Sequence, residues 1–215
     1  MTLPVSYLDI PSSANVPYNY QKTQTGAWDF LWGGKKKEQK CIDYTEYNEG
    51  IYVGYRYFQT AGAPVSYPFG YGKSYTTFEY SKPAVKATDK GFTATITVKN
   101  TGAVAGKESV QLYVAAPAGG LEKPAFELKG FAKTKELAPG ESQTLTIDVC
   151  RYTLASFNEA NSAWETAAGT YKVMFGANAA DIRGTGEYRL KKAECWKVNN
   201  VLAPAQLINE LTLQK

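Results

Sequence analysis

From Gly91 onward the chain alternates. Phe92, Ala94, Ile96 and Val98 are apolar, and Thr93, Thr95, Thr97 and Lys99 between them are polar or charged. A period of two puts the apolar set on one face of an extended strand, and the β-branched content suits a pleated, half-buried surface. The alternation returns at Val110, Leu112 and Val114, at Leu145, Ile147 and Val149, and at Tyr171, Val173 and Phe175. None of these segments has the three- and four-residue apolar spacing of an amphipathic helix. Turn residues separate them: Asn100-Thr101-Gly102, and Pro139-Gly140 ahead of the third. Weaker strands are expected at Phe78 to Ala87, Phe126 to Lys133 and Ile182 to Leu190. About seven short strands at this spacing predict an all-β fold, a β-sandwich. The small and polar stretch from Leu154 to Gly169 suits a crossover between the two sheets, and after Leu190 the alternation is too weak to predict a strand.

The region ahead of these strands has a different character. Tyr44 to Tyr80 holds nine of the 16 tyrosines and three of the nine phenylalanines in 37 residues, broken by glycines and prolines. Such a segment lacks the continuity for regular structure, yet its rings bury large areas and each phenol keeps a polar end. It reads as an aromatic strap that docks on something. Further upstream, Met1 to Lys40 is rich in Pro, Ser, Asn and Gly, which disfavours helix. Within it Trp28, Phe30 and Trp32 alternate, so three rings share one face of an extended segment.

The strap is also the point of resemblance. EGIYVGYRYF (Glu49 to Phe58) followed by YPFGYGKSYTTFEY (Tyr67 to Tyr80) resembles the C-terminal region of family 3 glycoside hydrolases, with Lys73 standing where that family usually has an apolar residue. The resemblance implies a linker leaving an α/β sandwich domain over residues 1–77, with the strap at 44–77. It further implies an immunoglobulin-like, fibronectin type III-like sandwich over 78–190 and a tail over 191–215. AAGTYKVMFGANAADIR fits the family phrase around a Gly-Thr-Tyr strand. MTLPVSYLDIPSS is similar to an internal family stretch that closes the α/β sandwich, so Met1 is expected to come from the middle of a longer protein. A periplasmic or secreted setting is implied by the resemblance alone.

Composition restricts the chemistry. The 215 residues include no histidine, which excludes Ser-His-Asp and Cys-His nucleophile systems, the HExxH zinc site and imidazole ligation. Cys41, Cys150 and Cys195 are far apart and odd in number, giving neither a metal spacing nor a disulfide framework. No metal and no cofactor is expected. A formal charge of +4 is weak for nucleic acid, and its one cluster, Lys35, Lys36, Lys37 and Lys40, reads as a solvated loop. The chain has no apolar run of about 18 residues that would span a membrane. Gly72-Lys73-Ser74 lacks the glycine a phosphate-binding loop needs at position 67, which is Tyr.

Hydrolysis would therefore rest on a carboxylate pair. Asp43, Glu46 and Glu49 lie nearest the strap, but nothing in their spacing sets two across a cleft, and Glu49 is expected to pair with Arg56. By resemblance, the family's nucleophilic Asp and acid/base Glu belong to domains upstream of the point matching Met1, so no catalytic residue carries over. The expected role is a non-catalytic accessory module that contacts the catalytic domains of a β-glucosidase or β-xylosidase. The alternative is a carbohydrate-binding module using Trp28, Phe30 and Trp32 as a platform for oligosaccharide, against the plainer expectation that these rings pack on a neighbouring domain.

Overall fold

The computed structural model describes residues 1–11, 47–202 and 209–213. In chain order its elements are β1 (Leu3–Pro4), α1 (Tyr55–Ala61), β2 (Val65–Tyr67), β3 (Phe78–Thr88), β4 (Gly91–Asn100), β5 (Ser109–Ala115), β6 (Glu127–Lys133) and β7 (Ser142–Cys150). They continue with β8 (Ser156–Asn158), β9 (Ala163–Glu165), β10 (Gly169–Asn178), β11 (Asp181–Leu190) and β12 (Cys195–Lys197). Seven strands build two antiparallel sheets, ordered β3-β4-β7 and β11-β10-β5-β6. Ile96, Val98, Leu145 and Ile147 from the first sheet and Val110, Leu112, Val173 and Phe175 from the second share one buried cluster. Each such side chain contributes about 2 kcal/mol on burial. The expected sandwich forms, and the three weaker strands of the sequence appear as β3, β6 and β11.

Connections are fixed by polar groups aimed at backbone. Asn100, at the end of β4, is fully buried with its carboxamide satisfied on every side. Its oxygen accepts from Thr76 Oγ1 at 2.7 Å and Gly102 N–H at 3.1 Å; its Nδ2 donates to Val104 O and Leu137 O, both at 2.8 Å. One amide thereby ties together the end of the strap, the β4–β5 turn and the loop before β7. Near the start of β10, Tyr171 donates its hydroxyl back to Ala167 O at 2.8 Å, the corner arrangement typical of Greek-key sandwiches.

The side of the sandwich between β3 and β11 has no strand ladder, and Arg183 on β11 bridges it. Its guanidinium donates to Phe78 O at 3.1 Å, pairs with Asp181 at 2.7 Å and lies 5.0 Å from the Tyr80 ring centroid. Glu108, 3.7 Å from Arg183, accepts the Tyr80 hydroxyl at 2.9 Å. Burial pushes the Glu108 carboxyl up, against the downward pull of Tyr80 and Arg183. Strand β3 is kinked at this edge: Lys82 has φ 52°, Pro83 follows, and the register with β4 slips between Ser81 and Ala84.

Two regions carry more regular structure than their composition indicates. The crossover from β7 to β10 contains the β8–β9 hairpin, and the tail adds β12 to it. Phe157, Trp164 and Trp196 align across this small sheet, and Tyr152 caps them at 5.3 Å from Trp196. The inclined rings pack as a hydrophobic plug. The strap, expected to be irregular, contains α1 and β2; the latter pairs with β1.

Removing the Asn100 carboxamide takes the partner from Val104 O, the Gly102 N–H and the Thr76 hydroxyl, and leaves Leu137 O with the Gly106 N–H alone. Asn100→Ala is expected to lower stability by about 3 kcal/mol in urea unfolding. A change below about 0.5 kcal/mol, the size of an ordinary surface substitution, would contradict this account. A second expectation concerns alkaline pH. Tyr52, Tyr55, Tyr80, Tyr113, Tyr171 and Tyr188 all hold their phenols above the ordinary value, first because burial disfavours the phenolate. Unfolded phenols ionise near 10, so above that pH unfolding releases protons, and stability present in full below it falls by up to about 1.4 kcal/mol per pH unit per phenol. The urea midpoint is expected to drop steeply above about pH 10, and a level profile to about pH 12 would be inconsistent with buried phenols.

Candidate functional site

The strap is the candidate, and its geometry is two-sided. Helix α1 is bracketed by Gly54 at φ 62° and Gly62 at φ 64°, and this left-handed C-cap stops the helix and turns the chain into β2. Phe58 is the buried residue of the helix, and Thr60 Oγ1 accepts Ala125 N–H at 2.8 Å from the loop before β6.

Strands β5 and β10 explain where the strap lies. Residues 110–114 are buried without alternation, as are 173–176, so this sheet is covered on both faces. Tyr113 and Met174 point away from the sandwich core and pack with Tyr55, Phe69, Phe126, Leu128 and Ile182. Tyr55 stacks on Phe69 at 4.8 Å, and Tyr113 meets Phe126 edge-on at 5.1 Å. Backbone bonds seat the same segment. Leu128 N–H donates to the Tyr55 hydroxyl oxygen at 2.7 Å, and Ala179 N–H donates to Phe69 O at 2.9 Å. Gln111 Nε2 reaches Gly70 O at 3.3 Å and Ala177 O at 2.9 Å. A methyl group at Gly70, which has φ 79°, would stand 2.2 Å from the Gln111 carboxamide, so the close approach requires glycine.

The head of the strap is anchored separately. Tyr52, 0% exposed, donates its hydroxyl to Glu122 Oε1 at 2.6 Å. Burial and then the Glu122 carboxylate push its phenol up to about 12. Leu213 N–H donates to that same oxygen at 3.0 Å. Lys123, the next residue, is buried with its ammonium donating to Ser156 Oγ, and burial draws its pKa down.

The opposite side of the strap faces solvent. Tyr67 and Tyr71 are 50% and 44% exposed with ring centroids 5.0 Å apart, and Tyr75 is 99% exposed. Leu3 lies across from Tyr67 in the β1–β2 ladder and is also exposed. Tyr67, Tyr71 and Leu3 thus form one half-exposed group, and Tyr75 stands almost wholly in water further along the strap.

Trp28, Phe30 and Trp32 lie outside the described residues, as do Asp43, Glu46, Cys41 and the lysine cluster. Glu49 is buried, and Arg56 pairs with Glu127 at 3.6 Å, so the expected Glu49–Arg56 pair is corrected: α1 turns Arg56 toward β6. No helix follows Gly72-Lys73-Ser74, in agreement with the failed phosphate-loop match. Among the described residues no three His, Cys, Asp or Glu assemble as a metal site, and no helix is long and apolar enough to cross a membrane. Tyr113 and Met174 were not singled out from sequence; the unbroken run Leu112-Tyr113-Val114 is the signal of a strand buried on both faces.

Residues 108–179 match the fibronectin type III-like domain family. The chain is 39% identical over 156 residues to probable β-glucosidase H of Neosartorya fischeri, covering 70% of this chain and 19% of that protein. To β-glucosidase A of Butyrivibrio fibrisolvens it is 42% identical over 189 residues, 77% of this chain and 23% of the relative. In three dimensions it resembles β-glucosidase 3B from Thermotoga neapolitana in complex with glucose, with TM-score 0.76 and 37% identity over 92% of this chain and 25% of that one. The chain thus spans about a fifth to a quarter of the length of these proteins. Sequence and fold together place it with the C-terminal region of family 3 glycoside hydrolases, the region that carries their fibronectin type III-like domain.

Proposed function

We propose that the chain is a non-catalytic structural module whose strap presents Tyr67, Tyr71 and Tyr75 to the catalytic domains of a β-glucoside-hydrolysing enzyme. The two-sidedness of the strap carries this reading: one side is bonded to the sandwich, the other leaves three rings in solvent. The adjoining Tyr67 and Tyr71 rings beside Leu3 favour a protein contact, because covering them removes apolar surface from water. The relatives it resembles are β-glucosidases nearly four times its length, which supports a larger partner surface. Three carboxylates of the described region serve the fold. Glu108 joins Tyr80 and Arg183, Glu122 joins Tyr52 and Leu213, and Glu165 accepts from Asn158 and Asn161.

The chain alone is expected to release no nitrophenol from aryl β-glucosides or β-xylosides. Reproducible turnover abolished by changing one of its carboxylates would overturn the proposal. In an enzyme expressed as two pieces, the chain is expected to bind the catalytic piece, and Tyr67→Ser with Tyr71→Ser and Tyr75→Ser to weaken binding by about tenfold or more. Unchanged binding in that variant would remove the strap from the interface. Calorimetry with cello- and xylo-oligosaccharides is expected to be silent. Heat lost in Trp28→Ala would instead make the Trp28, Phe30 and Trp32 segment a sugar platform.

A further inference from the structure

Residues 209–213 come back from the end of the chain to the head of the strap. Leu211 N–H donates to Asn48 O at 2.7 Å. Glu210 covers Gly50, where a methyl group would meet its carboxylate at 2.7 Å. Leu213 N–H and the Tyr52 hydroxyl converge on one oxygen of Glu122, at 3.0 and 2.6 Å. Thr212 and Leu213 also wall a groove against Pro117–Lys123, the loop that carries Glu122. A single carboxylate oxygen therefore joins three pieces of chain far apart in sequence: the strap, the β5–β6 loop and the tail.

The other anchors of the strap do not involve the tail. Tyr55 and Phe69 pack on Tyr113, and Thr76 bonds Asn100. Tyr52 is held differently. Its amide bonds only locally, to Glu49 O at 2.8 Å, and its hydroxyl ends on the oxygen that the tail shares.

We propose that residues 209–213 are a latch that closes over the head of the aromatic strap, with Glu122 as the shared keeper for Tyr52 and Leu213. Opening it frees residues 47–53 while the sandwich and the rest of the strap stay in place. The latch stands without the docking reading.

Hydrogen exchange followed by mass spectrometry on the full chain tests it, in three variants: Glu122→Ala, Glu122→Gln and removal of residues 209–215. In the shortened chain and in Glu122→Ala, amides of residues 49–53 are expected to exchange about tenfold faster, with those of β4, β5 and β10 unchanged. Glu122→Gln keeps an acceptor oxygen in place and is expected to stay near the parent rate. Unchanged exchange at 49–53 after removal of the tail would overturn the latch. So would equal acceleration in β4, β5 and β10, because that signals general unfolding. The measurement uses the chain alone, so failure of the docking proposal leaves its outcome untouched.

Discussion

A four-stranded antiparallel sheet that is apolar on both faces needs a cover on each, and this requirement organises the molecule. Val110, Leu112, Val173 and Phe175 are covered by the β3-β4-β7 sheet, whereas Tyr113 and Met174 look the other way. Left bare, the second face would put a large aromatic patch in water. The chain supplies its own cover from residues preceding the sandwich. The strap is thus half core, and its path across the sheet is dictated by where Tyr113 and Met174 emerge.

Covering a sheet with a segment so poor in regular structure leaves backbone groups to be satisfied individually. Side chains do this one at a time: Gln111 takes Gly70 O and Ala177 O, Thr60 accepts from Ala125, and the Tyr55 phenol accepts from Leu128. Asn100 finishes the job at the strap's exit by holding Thr76. Each contact is worth about 1 kcal/mol, so the segment's placement comes from their number and from the burial of Tyr55, Phe58 and Phe69 together.

Much of this was legible in the residues. Alternation located four of the seven strands of the two large sheets, because a period of two leaves little freedom of register, and the three weaker stretches supplied the others. The turn at Asn100 follows from residue types that bond to nearby backbone, whereas Tyr171 read only as a strand position and its corner bond to Ala167 emerges from the fold. The second buried face was harder to read, since Tyr113 and Met174 occupy the positions that alternation assigns to solvent. Strands β8, β9 and β12 span three residues each, too short for any period to show, and Trp164 finds Trp196 only through the fold. Helix α1 was hidden by the glycines that flank it, which read as breakers and act as its boundaries. The strap's docking character was visible in its composition; which rings face inward is decided by the sheet.

The irregularity in β3 has a further consequence. A left-handed lysine followed by proline interrupts the outermost row of amides and carbonyls of the three-stranded sheet. A neighbouring molecule therefore finds no continuous margin along β3 on which to add a strand. Sandwiches whose borders are smooth invite polymerisation when made in quantity. Crowded beside copies of itself, the module meets them along β3 with a broken rim.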